Sequence, residues 1–113
     1  MRINKELLKG STALLLLGML EKRSMYGYEM IKELENRSEG VFSLKEGTLY
    51  PILHMLEQDG LLQSYWSGTE GKRQRKYYEI TPNGVEYNRV RKEEWKVFSS
   101  AVERVLYLGE VGV

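Results

Sequence analysis

The sequence predicts a winged helix-turn-helix domain carrying a long C-terminal dimerisation helix, mostly α with one small β-hairpin. Three observations lead there. Within the first 60 residues a stretch of helix formers that is apolar on most sides precedes two stretches in which apolar residues recur at helical spacing. The period then switches to two aromatic, strand-like runs separated by a polar loop with glycines. Finally, Thr81-Pro82 opens a further helical stretch that continues to about Leu108.

The first helix is expected from about Asn4 to Arg23, where strong helix formers dominate and Leu7, Leu8, Leu14, Leu15, Leu16, Leu17, Met19 and Leu20 cover most directions. A helix so broadly apolar must be covered on two sides. Ser24 is the expected cap of a second helix beginning near Tyr26, with Met30, Ile31 and Leu34 inward and a polar exit from Asn36 to Gly40. The third is announced by Ser43 or Leu44. It carries Leu49, Ile52, Leu53 and Leu56 inward at i, i+3, i+4, i+7 and ends at Asp59-Gly60, where glycine takes the left-handed turn. Its other face holds Lys45, Thr48, Tyr50, His54 and Gln58.

After Gly60, Leu61 to Trp66 and Arg75 to Ile80 read as the strands of a hairpin, joined by the polar loop Ser67 to Gln74. Thr81 is placed to cap, and Pro82 to open, the last helix, which ends before Gly109 and Gly112. At roughly 1.5 Å per residue that helix is about 40 Å long, more than the preceding body can bury alone. The expected division is residues 1–81 as a winged helix-turn-helix DNA-binding unit and 82–108 as a dimerisation helix packed with the first helix, in a single compact unit.

A chain of 113 residues, 42% of them hydrophobic, has room for one modest core. It has no cysteine and one histidine, which excludes a disulfide framework, a thiolate metal site and a histidine cluster; no cofactor is expected. The formal charge of +1, from 17 basic and 16 acidic residues, excludes holding nucleic acid through bulk charge. Arg2, Lys5 and Lys9 before the apolar run Ala13 to Leu20 imitate a secretory signal. However, Glu21, Lys22 and Arg23 follow in place of a small-residue cleavage site, and the run is far shorter than the roughly 20 residues of a membrane span. A buried helix of a cytoplasmic protein, with no membrane partner, is the expectation.

Local charge points to double-stranded DNA. Lys72, Arg73, Arg75 and Lys76 set four cations within five residues of the hairpin loop, beside Tyr77 and Tyr78; a solvated basic loop is the plainer reading of the same residues. Lys45 opens the third helix, where backbone N–H groups already favour anions. Thr48 and Tyr50 can donate to phosphate oxygens or touch thymine methyls, and His54 one turn later can reach a base edge or phosphate; an idle surface imidazole fits His54 as well. Nothing suggests an enzyme: His54 has no cysteine partner, Ser43, Ser64 and Ser67 stand in no activating context, and Glu93-Glu94 reads as surface charge. The near-neutral net charge leaves one alternative, a winged-helix module that binds a ligand or protein and not specific DNA.

Several ordered motifs carry a family resemblance that runs from about Leu7 to Leu106. They are the apolar first helix, Tyr26-Gly27-Tyr28-Glu29-Met30-Ile31, Gly47-Thr48-Leu49-Tyr50-Pro51-Ile52-Leu53, Leu56-Glu57-Gln58-Asp59-Gly60-Leu61-Leu62 and Arg75-Lys76-Tyr77-Tyr78-Glu79-Ile80-Thr81-Pro82-Asn83-Gly84. In these the chain resembles the PadR family of transcriptional regulators, specifically its short second subfamily and the multidrug-regulator branch typified in lactococci. The resemblance implies a two-fold homodimer whose first and last helices exchange contacts and set two third helices on successive major-groove faces. It also implies a repressor of a pseudo-palindromic operator, contacted by Tyr26, Tyr28, Lys45, Thr48, Tyr50, His54 and Lys72 to Lys76, with Pro51 at a position where the family has a proline. In the multidrug relatives a tryptophan of the last helix meets its symmetry mate to line a flat pore, and Trp95 matches it; Leu7, Gly10, Ala13, Leu14 and Ser99 would form the rest of the wall. Those relatives have an acidic residue where this chain has Ser99, so a cationic preference does not carry over and a planar, neutral or aromatic small molecule is the expected effector.

Overall fold

The computed structural model describes residues 1, 3–68 and 71–108. Its elements are α1 (Lys5–Lys9), α2 (Thr12–Leu20), β1 (Met25–Tyr26), α3 (Gly27–Arg37), α4 (Glu46–Gln58), β2 (Leu62–Ser67), β3 (Arg75–Ile80) and α5 (Pro82–Glu103), which passes into a π-helical turn over Arg104–Leu108. The molecule is the expected winged helix-turn-helix with a projecting C-terminal helix. The ends placed at Gly109 and Gly112, the Thr69-Glu70 part of the loop and the Arg2 charge lie outside the described residues.

The core is the shared inward side of α2, α3, α4 and the sheet. Leu16, Leu17, Met25, Met30, Leu49 and Leu53 are wholly buried, with Tyr78 of β3 closing one end. Each apolar side chain so enclosed contributes about 1.5–3 kcal/mol. The periods read from the sequence therefore face where they should in α3 and α4: Leu49, Leu53 and Leu56 are buried and Ile52 packs at the margin.

Three local details differ from expectation, each for a physical reason. The first helix is two pieces. At Gly10-Ser11 the Ser11 N–H turns back to the Leu8 carbonyl (2.9 Å), and the Thr12 hydroxyl donates to that same carbonyl (3.1 Å). Glycine's backbone entropy and a competing hydroxyl interrupt the ladder there, and it resumes at Leu15 N–H to Ser11 O (3.0 Å).

Ser24 does not cap the second helix. Met25 and Tyr26 are extended and pair with Tyr78 and Tyr77, adding a third, central-paired strand in the order β1-β3-β2. The helix cannot begin until Gly27, so Tyr26 becomes the cap residue and the Glu29 carboxylate accepts from its N–H (3.1 Å). Ser24 instead turns its hydroxyl towards Glu79, 3.5 Å away.

The third helix starts later than Ser43 or Leu44, because Leu44 is drawn into the core and Lys45, with ψ 156°, is the extended residue before the first turn. Its far end is as read. Gly60 (φ 75°) takes the left-handed position, and Leu61 N–H returns to the Leu56 carbonyl (2.9 Å) in a Schellman closure. Pro51 lies in the second turn. It and Gly47, whose carbonyl it cannot serve, are both exposed, so that carbonyl faces water and not the core.

The hairpin is antiparallel, pairing Leu62 with Ile80 through Ser67 with Arg75. Thr81 then caps α5 as expected, accepting from the Gly84 N–H (3.0 Å), while its own hydroxyl donates to the Gly60 carbonyl (2.7 Å). Gly84 is buried hard against the Leu61 carbonyl and the Ile80 side chain, leaving no room for a Cβ. Alanine there gains up to about 1 kcal/mol of helix propensity but overpacks a backbone contact, at about 1–3 kcal/mol. Gly84→Ala is therefore expected to lower the melting temperature by several degrees, whereas Gly47→Ala, with open space around its Cβ position, leaves it unchanged or raises it; equal melting of the two variants would contradict the close approach.

Candidate nucleic-acid interface

The outward side of α4 is assembled by elimination. Leu49, Leu53 and Leu56 must face the core, which leaves Thr48, Pro51, His54 and Gln58 exposed along one side, with Lys45 exposed at the N-terminal end. These are short or polar groups on the surface a helix would present to a major groove.

Tyr50 departs from the expected face. It is half-buried, with its ring set against the start of α3 at Gly27, where any Cβ would collide with the phenol oxygen. Burial, then the nearby Glu46 carboxylate and Tyr78, push its phenol above the ordinary tyrosine value, so the hydroxyl stays protonated. Tyr78 is raised likewise, by burial first and by Glu57 second. Both are neutral groups whose rings lock α4 to α3 and to the sheet.

Between α4, the N-terminus of α3 and the wing lies a groove of about 550 Å³. It brings together seven of the residues expected to touch DNA: Tyr26, Tyr28, Tyr50, His54, Arg73, Arg75 and Lys76. Lys45, Thr48 and Pro51 stand outside it on the exposed side of α4, and Lys72 is exposed at the wing loop. Sequence reasoning missed Trp66 and Glu46 in its lining; for Trp66 the signal was the alternation of β2, which sets it on the same side as Leu62 and Ser64.

The cations of the wing are aimed by aromatic rings. Arg75 lays its guanidinium 4.6 Å from the centre of the Tyr26 ring, and the Lys76 ammonium lies 5.5 Å from that of Tyr78. On the face of the hairpin that carries Arg75, opposite that of Lys76, Tyr65 stacks on Tyr77 (5.6 Å), which meets Tyr26 edge-on (5.5 Å). This ladder stiffens the wing and ties β1 to it. Arg23, Arg37, Arg89, Arg91 and Lys92 have carboxylate partners, whereas none of Lys72, Arg73, Arg75 and Lys76 is ion-paired with a described carboxylate. Their charge is thus directed at the groove and its rim.

A second, apolar groove of about 780 Å³ runs between α1, α2, α3 and α5. Leu7, Leu14 and Trp95 line it as expected for an effector wall, joined by Leu8, Leu15, Met19 and Phe42; Gly10, Ala13 and Ser99 do not line it. Ala13 packs on the core instead, Gly10 is exposed, and the Ser99 hydroxyl donates to the Lys96 carbonyl (3.3 Å). The Trp95 and Phe98 rings are 5.9 Å apart on the exposed side of α5. Among the described residues no group of three or more His, Cys, Asp or Glu side chains is placed to hold a metal, and no helix is long and apolar enough to cross a membrane.

Comparison with known proteins places this geometry. A model of the Transcriptional regulator PadR-like family matches residues 16–89, from α2 through the first turns of α5. The transcriptional regulator Rv3488 of Mycobacterium tuberculosis is 34% identical over 80 residues, 71% of each chain. A transcriptional regulator structure from Clostridium thermocellum superposes with a TM-score of 0.82 at 31% identity, covering 90% of this chain and 96% of that one. A PadR family regulator from Eggerthella lenta gives 0.80 at 33% identity, covering 90% and 87%. With the family match spanning most of the domain and the fold shared over nine-tenths of the chain, this protein belongs to the PadR-like family of transcriptional regulators, and is not an enzyme.

Proposed function

We propose that the chain acts in the cytoplasm as a homodimeric repressor, with residues 1–81 reading a pseudo-palindromic DNA operator and 82–108 holding the dimer together. The observation that carries this reading is the groove that brings Tyr50 and His54 of α4 together with Arg73, Arg75 and Lys76 of the wing, beside the exposed Lys45, Thr48 and Pro51. A helix presenting small polar groups beside a basic hairpin suits a major groove flanked by phosphates. Dimerisation is supported by the uncovered side of α5. Val97 is 71% and Phe98 61% exposed, and the apolar series continues through Val102, Val105 and Leu106. Continuous apolar surface of this kind marks an interaction site in a soluble protein.

On the same reading the chain stands with the short, multidrug-regulator branch of its family, and a planar, neutral or aromatic molecule settles beside Trp95 in the α1/α2/α5 groove. Leu7, Leu8, Leu14 and Leu15 give that groove an apolar wall, and the exposed Trp95 face offers a stacking surface. Such a ligand releases DNA to the extent that it favours a dimer with altered spacing of its two reading helices, for which about 1–3 kcal/mol of differential binding suffices.

Fluorescence anisotropy with a labelled duplex from the region upstream of the protein's own gene is expected to show binding well above that of a random duplex. Arg73→Ala with Arg75→Ala should weaken binding to every duplex and flatten the plot of log K against log salt by roughly one unit per lost phosphate contact. An unchanged slope would remove the wing as a phosphate clamp; no preference over random duplex at low salt would assign the chain to ligand or protein binding instead. Separately, planar aromatics should quench the emission of the wild type but not of Trp95→Ala, which retains Trp66, and quenching that survives that substitution would place the ligand elsewhere.

A further inference from the structure

We infer that Trp66 is a further DNA-contact residue, its indole lying on the sugar-phosphate backbone between the wing and α4. This rests on the reading of that groove as the DNA site. The alternation of β2 carries the inference. Leu62, Ser64 and Trp66 point to one side of the hairpin, and this is the side that covers α4: Leu62 is buried and the Ser64 hydroxyl donates to the Glu57 carboxylate of α4 (2.6 Å). Trp66 is next in that inward series, but the wing has by then run past its cover, so a core-facing tryptophan emerges 65% exposed into the groove that also holds His54, Arg73 and Lys76.

Packing within the chain does not account for it. The other hairpin aromatics are engaged: Tyr78 is buried, and Tyr65 and Tyr77 stack on the opposite face. Trp66 has no aromatic partner among the described residues and sits across the ladder from Lys76. An indole unites an apolar face with one N–H donor, the combination that fits a deoxyribose and its neighbouring phosphate oxygen. As a neutral contact it adds affinity without releasing counterions, which separates it from the arginines beside it.

The test uses the full chain with a fluorescein-labelled 30-base-pair duplex from upstream of its own gene, read by anisotropy and by indole emission, for the wild type, Trp66→Ala and Trp66→Phe. Trp66→Ala is expected to bind at least about fivefold more weakly with the salt slope and melting temperature of the wild type. The wild type should change its indole emission on binding, and Trp66→Phe, in which Trp95 remains, should lose that change while its anisotropy still reports a complex. Affinity within twofold of the wild type, no emission difference between wild type and Trp66→Phe, or a slope that falls with Trp66→Ala would each overturn the inference. A duplex that the wild type itself fails to bind overturns the DNA reading on which it stands, an outcome distinct from the other three.

Discussion

Everything that positions the interface passes through one corner, where the end of α4, the start of β2, the end of β3 and the first turn of α5 meet. Thr81 holds it with three bonds: its hydroxyl to the Gly60 carbonyl (2.7 Å), its N–H to the Leu61 carbonyl (3.1 Å), and its hydroxyl oxygen to the Gly84 N–H (3.0 Å). Each is worth about 1 kcal/mol, a small share of the stability. Their effect is geometric, because α4, the wing and the C-terminal arm leave the same point in set directions. Gly84 completes the corner by letting the arm approach the Leu61 carbonyl more closely than any side chain allows.

The arm is then fastened along one stripe. One turn beyond Gly84, the wholly buried Asn88 donates from Nδ2 to the Leu14 carbonyl of α2 (3.3 Å), beside Gly18. A turn further, Lys92 pairs with Glu21 at the end of α2 (2.6 Å). A buried amide is costly where its bond is lost, so Asn88 selects one register of α5 on α2, and the half-exposed Lys92 pair adds little beyond direction. After Trp95 the helix outruns the body, which is why its apolar residues are uncovered and why the molecule is 67 Å long but 31 and 21 Å across. Arm direction and proposed partner spacing are thus one quantity, and a molecule settling beside Trp95 would act on both.

The sequence was most legible where one local signal sufficed. The 3.6-residue period of Leu49, Leu53 and Leu56, the left-handed Gly60, the Thr81-Pro82 start and the two aromatic strands all stand where they were read. It was least legible where a distant partner decides. The two residues of β1 are too few to show a period and are extended because β3, some fifty residues on, pairs with them. Tyr50 is half-buried, because Gly27 leaves its ring a seat on another helix, yet it still lines the groove. In the candidate sites, charge and residue type found the wing and the α4 face, but Trp66 read as a strand former until the hairpin's length beyond α4 showed that nothing covers it.

Regulators of this family bind DNA, and what this chain adds is a rigid corner that sets how two copies would present their reading helices. Because the sequence has no cysteine, a single Thr48→Cys substitution on exposed α4 gives one spin label per chain. Pulsed dipolar spectroscopy on the free protein should then return one narrow distance distribution centred near the roughly 34 Å turn of the DNA duplex. An absent dipolar signal at micromolar concentration, or a distribution spread over many ångströms, would contradict the paired, corner-set arrangement.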